Sequence, residues 1–195
     1  MKLIESKVEI LTQGSGIEGV YKQIELAGRT CYKSKDKITN DSAKEFTDRM
    51  IKSGHGAILE HGTIYLTIAR TAANIGDPIF YVRNKYSKVN EDEIFYFITT
   101  NMRVLVENNR LDDLQYQVKP TKFHEKRITV KFICDRGVSH EFVRHRVFSF
   151  AQESTRYCNY SKDKFNNELT FIKPTWLDVP IGDYTYWDGD WCDID

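Results

Sequence analysis

Thr63-Ile64-Tyr65-Leu66-Thr67-Ile68-Ala69 is rich in β-branched and aromatic residues and carries no glycine or proline. Branching at Cβ stiffens χ1 and suits a pleated surface, so this stretch reads as a strand. The chain before it has a different period. Ile17, Val20, Tyr21 and Ile24 recur at helical spacing, which predicts an amphipathic helix ending near Gly28. Ser42 with Glu45 three residues on predicts a capping box that opens a second helix. Phe46 and Met50 share a face of that helix, and Gly54 ends it. Helices set beside strands in this way place the chain in the α+β class.

Working outward, residues 3–11 alternate through Val8 and Ile10 and predict a strand. Residues 70–90, with Gly76-Asp77-Pro78, read as a loop. Asn90 with Glu93 forms a further capping-box pattern, which predicts a long helix with Ile94, Ile98, Leu105 and Val106 as its apolar stripe. Residues 128–134 predict a strand, residues 137–146 a short helix, and residues 169–172 a last strand before Pro174. There is no internal repeat and no low-complexity tract. The expectation is one mixed α/β domain over residues 1–195, with a central sheet flanked by helices and a helical insertion at about residues 70–127.

A chain of 195 residues is long enough for one well-cored domain. Hydrophobic and charged fractions of 41% and 29% are those of a folded globular protein. The 28 basic and 28 acidic residues balance, so the net charge predicts no general electrostatic affinity for nucleic acid or an anionic membrane. The first residues mix charge with short apolar runs and predict no signal peptide, and no stretch is apolar enough to span a bilayer. Cys31, Cys134, Cys158 and Cys192 are scattered without a CxxC pair, which fits reduced thiols in a cytoplasm.

Against this neutral background one segment is dense in cations. Arg144-His145-Arg146 is followed after seven residues by Ser154 and then by Arg156-Tyr157. Guanidinium groups grip phosphate or an acidic ring in a planar, bidentate manner, and so many like charges make poor core. The segment predicts an anion-binding site.

The same residues carry a resemblance. An Arg-His-Arg triplet, seven residues, a serine and then Arg-Tyr is similar to the signature of the flavin-dependent thymidylate synthases. Ala27-Gly28-Arg29-Thr30-Cys31-Tyr32 resembles a stretch near that family's amino terminus. Gly54-His55 through Glu60-His61 resembles its Gly-His…Glu-His element, and residues 135–141 resemble the run leading into the signature. The resemblance covers roughly residues 1–69 and 128–176 and leaves residues 70–127 as the insertion. It implies conversion of dUMP to dTMP, with methylenetetrahydrofolate as carbon donor, NADPH as reductant and FAD as cofactor. It also implies a homotetramer with sites built between subunits. FAD contacts would come from His55, Ala57, Arg144, His145, Arg146 and Gln152. Contacts with dUMP would come from Glu141, Arg144, Gln152, Ser154 and Arg156. The family's chemistry needs no protein nucleophile on the pyrimidine. Its members continue past Pro174-Thr175-Trp176 into a helix carrying asparagine and arginine contacts, so this chain reads as a fragment of a longer protein.

Each residue also has a plainer reading. The Arg-His-Arg triplet could be a solvated helix end. Ser154 as a nucleophile would need a base and an oxyanion hole, and no triad pattern accompanies it. Glu141 could bind the uracil or pair with Arg144. His55 and His61 are six apart, which is not the spacing of a zinc helix. Asp183, Asp188, Asp190, Asp193 and Asp195 lack EF-hand spacing and read as a solvated acidic end, so no metal site is expected. Two rival functions remain: a nucleotide- or RNA-binding module that uses the arginines on phosphates, and a flavin-binding homologue without turnover.

Overall fold

The structure, a computed structural model, describes residues 1–71, 76–155, 158, 169–187 and 190–193. The chain divides into two compact units. One comprises Thr12–Thr129 and Ser149–Ala151, the other Met1–Leu11, Val130–Phe148 and Gln152–Asp195.

The larger unit opens with α1 (Gly16–Cys31), whose Val20 and Ile24 are fully buried. The helix runs three residues past Gly28. That glycine is a packing contact and not a terminator: a Cβ there would lie 2.4 Å from the Phe46 ring. Its absence lets α2 (Ser42–Lys52) approach. The expected capping box does not form. Asp41 occupies the N-cap position, the Ser42 hydroxyl accepts from the Thr39 N–H and donates to Glu25, and Glu45 pairs with Arg49 instead. Glu25 draws the serine away because its carboxylate is buried and needs donors. The end of α2 follows expectation. Gly54 adopts a φ of 70°, His55 N–H bonds the Met50 carbonyl and Gly54 N–H that of Ile51, a Schellman ending.

A short helix, α3 (Gly56–Leu59), leads into β3 (Thr63–Ala69), the strand read from the sequence. The next stretch departs from expectation. The residues after 75 begin with helix α4 (Gly76–Arg83), with Pro78 in its first turn, where a missing N–H costs nothing. The predicted long helix is a hairpin of β4 (Lys88–Glu91) and β5 (Phe95–Asn101), and only α5 (Met102–Glu107) is helical. Asn90 lies within β4, and the Asp92 carboxylate accepts from the N–H groups of Ile94 and Phe95 at 2.8 and 2.7 Å, shaping the turn. Residues 94–100 are all aromatic or β-branched, and this run overrides the helical spacing of Ile94 and Ile98. A true cap comes later, where Asn101 accepts from Val104 N–H at 3.1 Å.

The three strands form an antiparallel sheet in the order β3-β5-β4, and β5 pairs along the whole of β3. Ile64, Leu66, Ile68, Ile98 and Leu105 meet Val20, Ile24 and Leu59 in one buried core. Residues read as an insertion therefore supply a strand and core side chains of this unit.

In the smaller unit the expected strand over residues 3–11 is two strands, β1 (Lys2–Ile4) and β2 (Lys7–Leu11). β2 pairs with β6 (Thr129–Ile133) in a two-stranded sheet. β1 runs parallel to β7 (Thr170–Ile172) and antiparallel to β8 (Gly182–Trp187), which pairs with β9 (Asp190–Asp193). Asp183, Asp190 and Asp193 thus lie in strands, while Asp188 and Asp195 lie outside the described residues. Helix α6 (Arg136–Phe142) follows β6. The α+β class is borne out, although the strands form sheets of four, two and three among the described residues and not one central sheet. No helix among the described residues is long and apolar enough to cross a membrane.

Candidate functional site

Helix α6 begins where the Asp135 carboxylate accepts from Val138 N–H at 3.0 Å, satisfying one of the unpaired donors of the first turn. It stops at Phe142, short of the predicted Arg146. Arg144 N–H then bonds the Glu141 carbonyl at 3.1 Å and His145 N–H that of Phe142 at 3.0 Å. These tight turns present Arg144, His145 and Arg146 on an exposed stretch. Glu141 accepts from the Arg144 guanidinium at 2.5 Å, the pair that its plainer reading expects.

The loop after the signature returns to the same helix. Gln152 donates to the Ser139 hydroxyl at 2.8 Å. Arg136 donates to the Thr155 hydroxyl at 2.7 Å and to His140 at 3.3 Å. Gln152 is thus held through its side chain, and Ser154 sits half-buried between Gln152 and Thr155, its carbonyl accepting from Cys158 N–H at 2.9 Å. Arg156 lies outside the described residues. In this unit the structure brings together Glu141, Arg144, His145, Arg146, Gln152 and Ser154 within α6 and the loops that follow it.

His55 and Ala57 belong to the other unit. His55 is the N-cap of α3 and Ala57 its second residue, and both are exposed. Beside them is a network that the sequence does not announce. Glu60 accepts from Arg103 at 2.6 Å through one oxygen and from the Ser149 hydroxyl at 2.6 Å through the other. Arg103 also donates to Glu107 at 2.7 Å, and the two carboxylates raise its pKa. The Nε2 of His61 is buried with no partner among the described residues, and burial lowers its pKa, opposed by the nearby Phe150 backbone. Arg103 and Ser149 lie 43 and 89 residues from Glu60, so no local motif could have shown them.

An open groove of about 420 Å³ on α4 is lined by Ile79, Phe80, Arg83 and Asn84, and none of the predicted site residues borders it. Among the described residues no three His, Cys, Asp or Glu side chains are grouped to hold a metal ion.

A family model described as thymidylate synthase complementing protein matches residues 78–187, more than half of the chain, and its span includes α6 and the whole signature. The chain belongs to this family. It is the flavin-dependent thymidylate synthase family that the signature resembles. The match also runs through β4, β5 and α5, so most of the segment read as an insertion lies inside it. No curated protein and no solved structure matches the chain. The donor set of the signature suits the family's cofactor: two guanidiniums and an imidazole on an exposed turn can meet an anionic dinucleotide.

Proposed function

We propose that the protein takes part in flavin-dependent synthesis of dTMP from dUMP, with methylenetetrahydrofolate as carbon donor and NADPH as reductant. The observation that carries this reading is the exposed Arg144–His145–Arg146 turn joined to a loop whose Gln152 and Thr155 are tied back to α6. FAD, when bound, would supply hydride transfer. Arg144, His145 and Arg146 would hold it, with His55, Ala57 and Gln152 completing the contacts. Cations at that place favour phosphates and a negatively charged ring.

Ser154 and Arg156 would bind dUMP, the arginine through its phosphate. Arg144 and Gln152 would border both ligands. Glu141 would meet the nucleotide only at its base, where a carboxylate can accept the N3–H, because beside the phosphate it would repel. The chain's work is orientation and charge stabilisation, with no covalent protein nucleophile.

The smaller unit supports a homotetramer with shared sites. On the β2–β6 sheet Val8, Ile10, Val130 and Phe132 are exposed, while Glu9 and Lys131 pair at 3.2 Å at half-buried positions. A sheet with its apolar side outward is the pattern of a face meant to be covered. The cytoplasm is the compartment that fits the proposed substrates.

The test is the visible absorption spectrum of the purified chain with FAD and then dUMP, followed by an assay for dTMP. A flavin spectrum that dUMP perturbs, weakened by Arg144→Ala and by Ser154→Ala respectively, supports the assignment. Wild-type behaviour of both variants overturns it.

A further inference from the structure

The seven residues between Arg146 and Ser154 are not uniform. Residues 144–148 are exposed, whereas Ser149, Phe150 and Ala151 are half-buried and belong to the larger unit. At the centre of this spacer Ser149 is held by Glu60. Glu60 accepts the Ser149 hydroxyl at 2.6 Å, and the Phe150 backbone lies near His61. All four belong to that unit.

The Glu60 side chain has little freedom. Its second oxygen accepts from Arg103 at 2.6 Å, and Arg103 is itself fixed by Glu107 at 2.7 Å. An O–H donor at this distance from a carboxylate makes a charge-assisted bond, about twice as strong as a neutral one. A one-residue slip of the loop would break the Ser149 bond, so this contact defines register as well as position. Chain reach is about 3.5 Å per residue, so a fixed centre confines both ends of a short spacer.

We infer that Glu60 is a positioning residue of the signature, acting through Ser149. It touches no ligand in this role. Its consequence for flavin rests on the reading proposed above, but the anchoring does not.

Amide hydrogen exchange on the full chain separates the two. Ser149→Ala is expected to accelerate exchange at residues 147–153 by about tenfold while β3 and α1 keep their protection, the size following from one lost hydrogen bond to a charged group. Glu60→Gln keeps an acceptor without the charge and should give a smaller local rise. Affinity for FAD should fall in the same order. Unchanged exchange at residues 147–153 overturns the inference. So does acceleration spread evenly over β3 and α1, which would make the contact merely structural. A local rise in a chain that binds no FAD, wild type included, would sustain the positioning role and defeat the flavin reading alone.

Discussion

Arg144 donates to Glu141 at 2.5 Å from three residues further along the chain, yet the two side chains keep 74% and 64% of their exposure. An ion pair this open is screened by water and contributes only about 0–1 kcal/mol to the fold. Under the proposed function the carboxylate would act as an exchangeable counter-ion, holding the guanidinium near the turn until a stronger anion competes for it.

Removing that competitor should help the anion. Glu141→Gln is expected to tighten binding of FAD or inorganic pyrophosphate two- to fivefold (about 0.4–1 kcal/mol), with a melting temperature close to that of wild type. Titration at low and moderate salt checks this. Weaker binding would mean that Glu141 contacts the ligand itself.

His124 responds to pH. It is buried, its Nε2–H donates to the Leu66 carbonyl at 3.0 Å, and its Nδ1 accepts from Thr121 N–H at 3.1 Å. A neutral ring satisfies both partners, and a protonated ring would lose the second. Burial accordingly lowers its pKa, and His61 is lowered for the same reason. The unfolded chain then takes up protons first as the pH falls below about 6.5, so stability is present above that value and is lost on acidification. Melting temperatures should decline from about pH 7 to about pH 5. His124→Gln should flatten part of that decline. An identical slope in the variant would remove His124 from the account.

How far the sequence is legible depends on the range of the signal. β3, the β6 strand and the αL stop at Gly54 rest on local composition and were readable as such. The signature was readable because its spacing is short. The β4–β5 hairpin was hidden because Asn90, Glu93, Ile94 and Ile98 fit a capped helix as well as a turn and a strand, and only pairing with β3 decides between them. Ser42 failed as a cap for a similar reason, since Glu25, 17 residues earlier, takes its hydroxyl. Ser149 and Arg103 could not be found at all without the fold that brings Glu60 to them.

Gly28 offers a packing test. An added Cβ would meet the Phe46 ring at 2.4 Å and Ile58 at 3.3 Å. Gly28→Ala should therefore destabilise the larger unit by about 1–3 kcal/mol despite alanine's better helix propensity. Combining it with Phe46→Leu should recover part of the loss in denaturant melts. A Gly28→Ala variant as stable as wild type would show that α2 can shift to make room.

Tyr81 and Asp113 give the last test, inside the segment first read as an insertion. Tyr81 is fully buried and donates to Asp113 at 2.6 Å, and Arg110 donates to the same oxygen at 3.2 Å while lying 4.4 Å from the Phe80 ring centre. Tyr81→Phe keeps the ring's packing and removes one donor from a buried carboxylate. The expected cost is about 1.5–3 kcal/mol, the range for a hydrogen bond to a charged group. Because Asp113 then leans, among the described residues, on Arg110, Arg110→Gln should cost more in the Tyr81→Phe background than in wild type. A double-mutant cycle in urea measures that difference directly. Strictly additive losses would mean that the tyrosine and the arginine act on Asp113 independently, and the coupling argued here would be wrong.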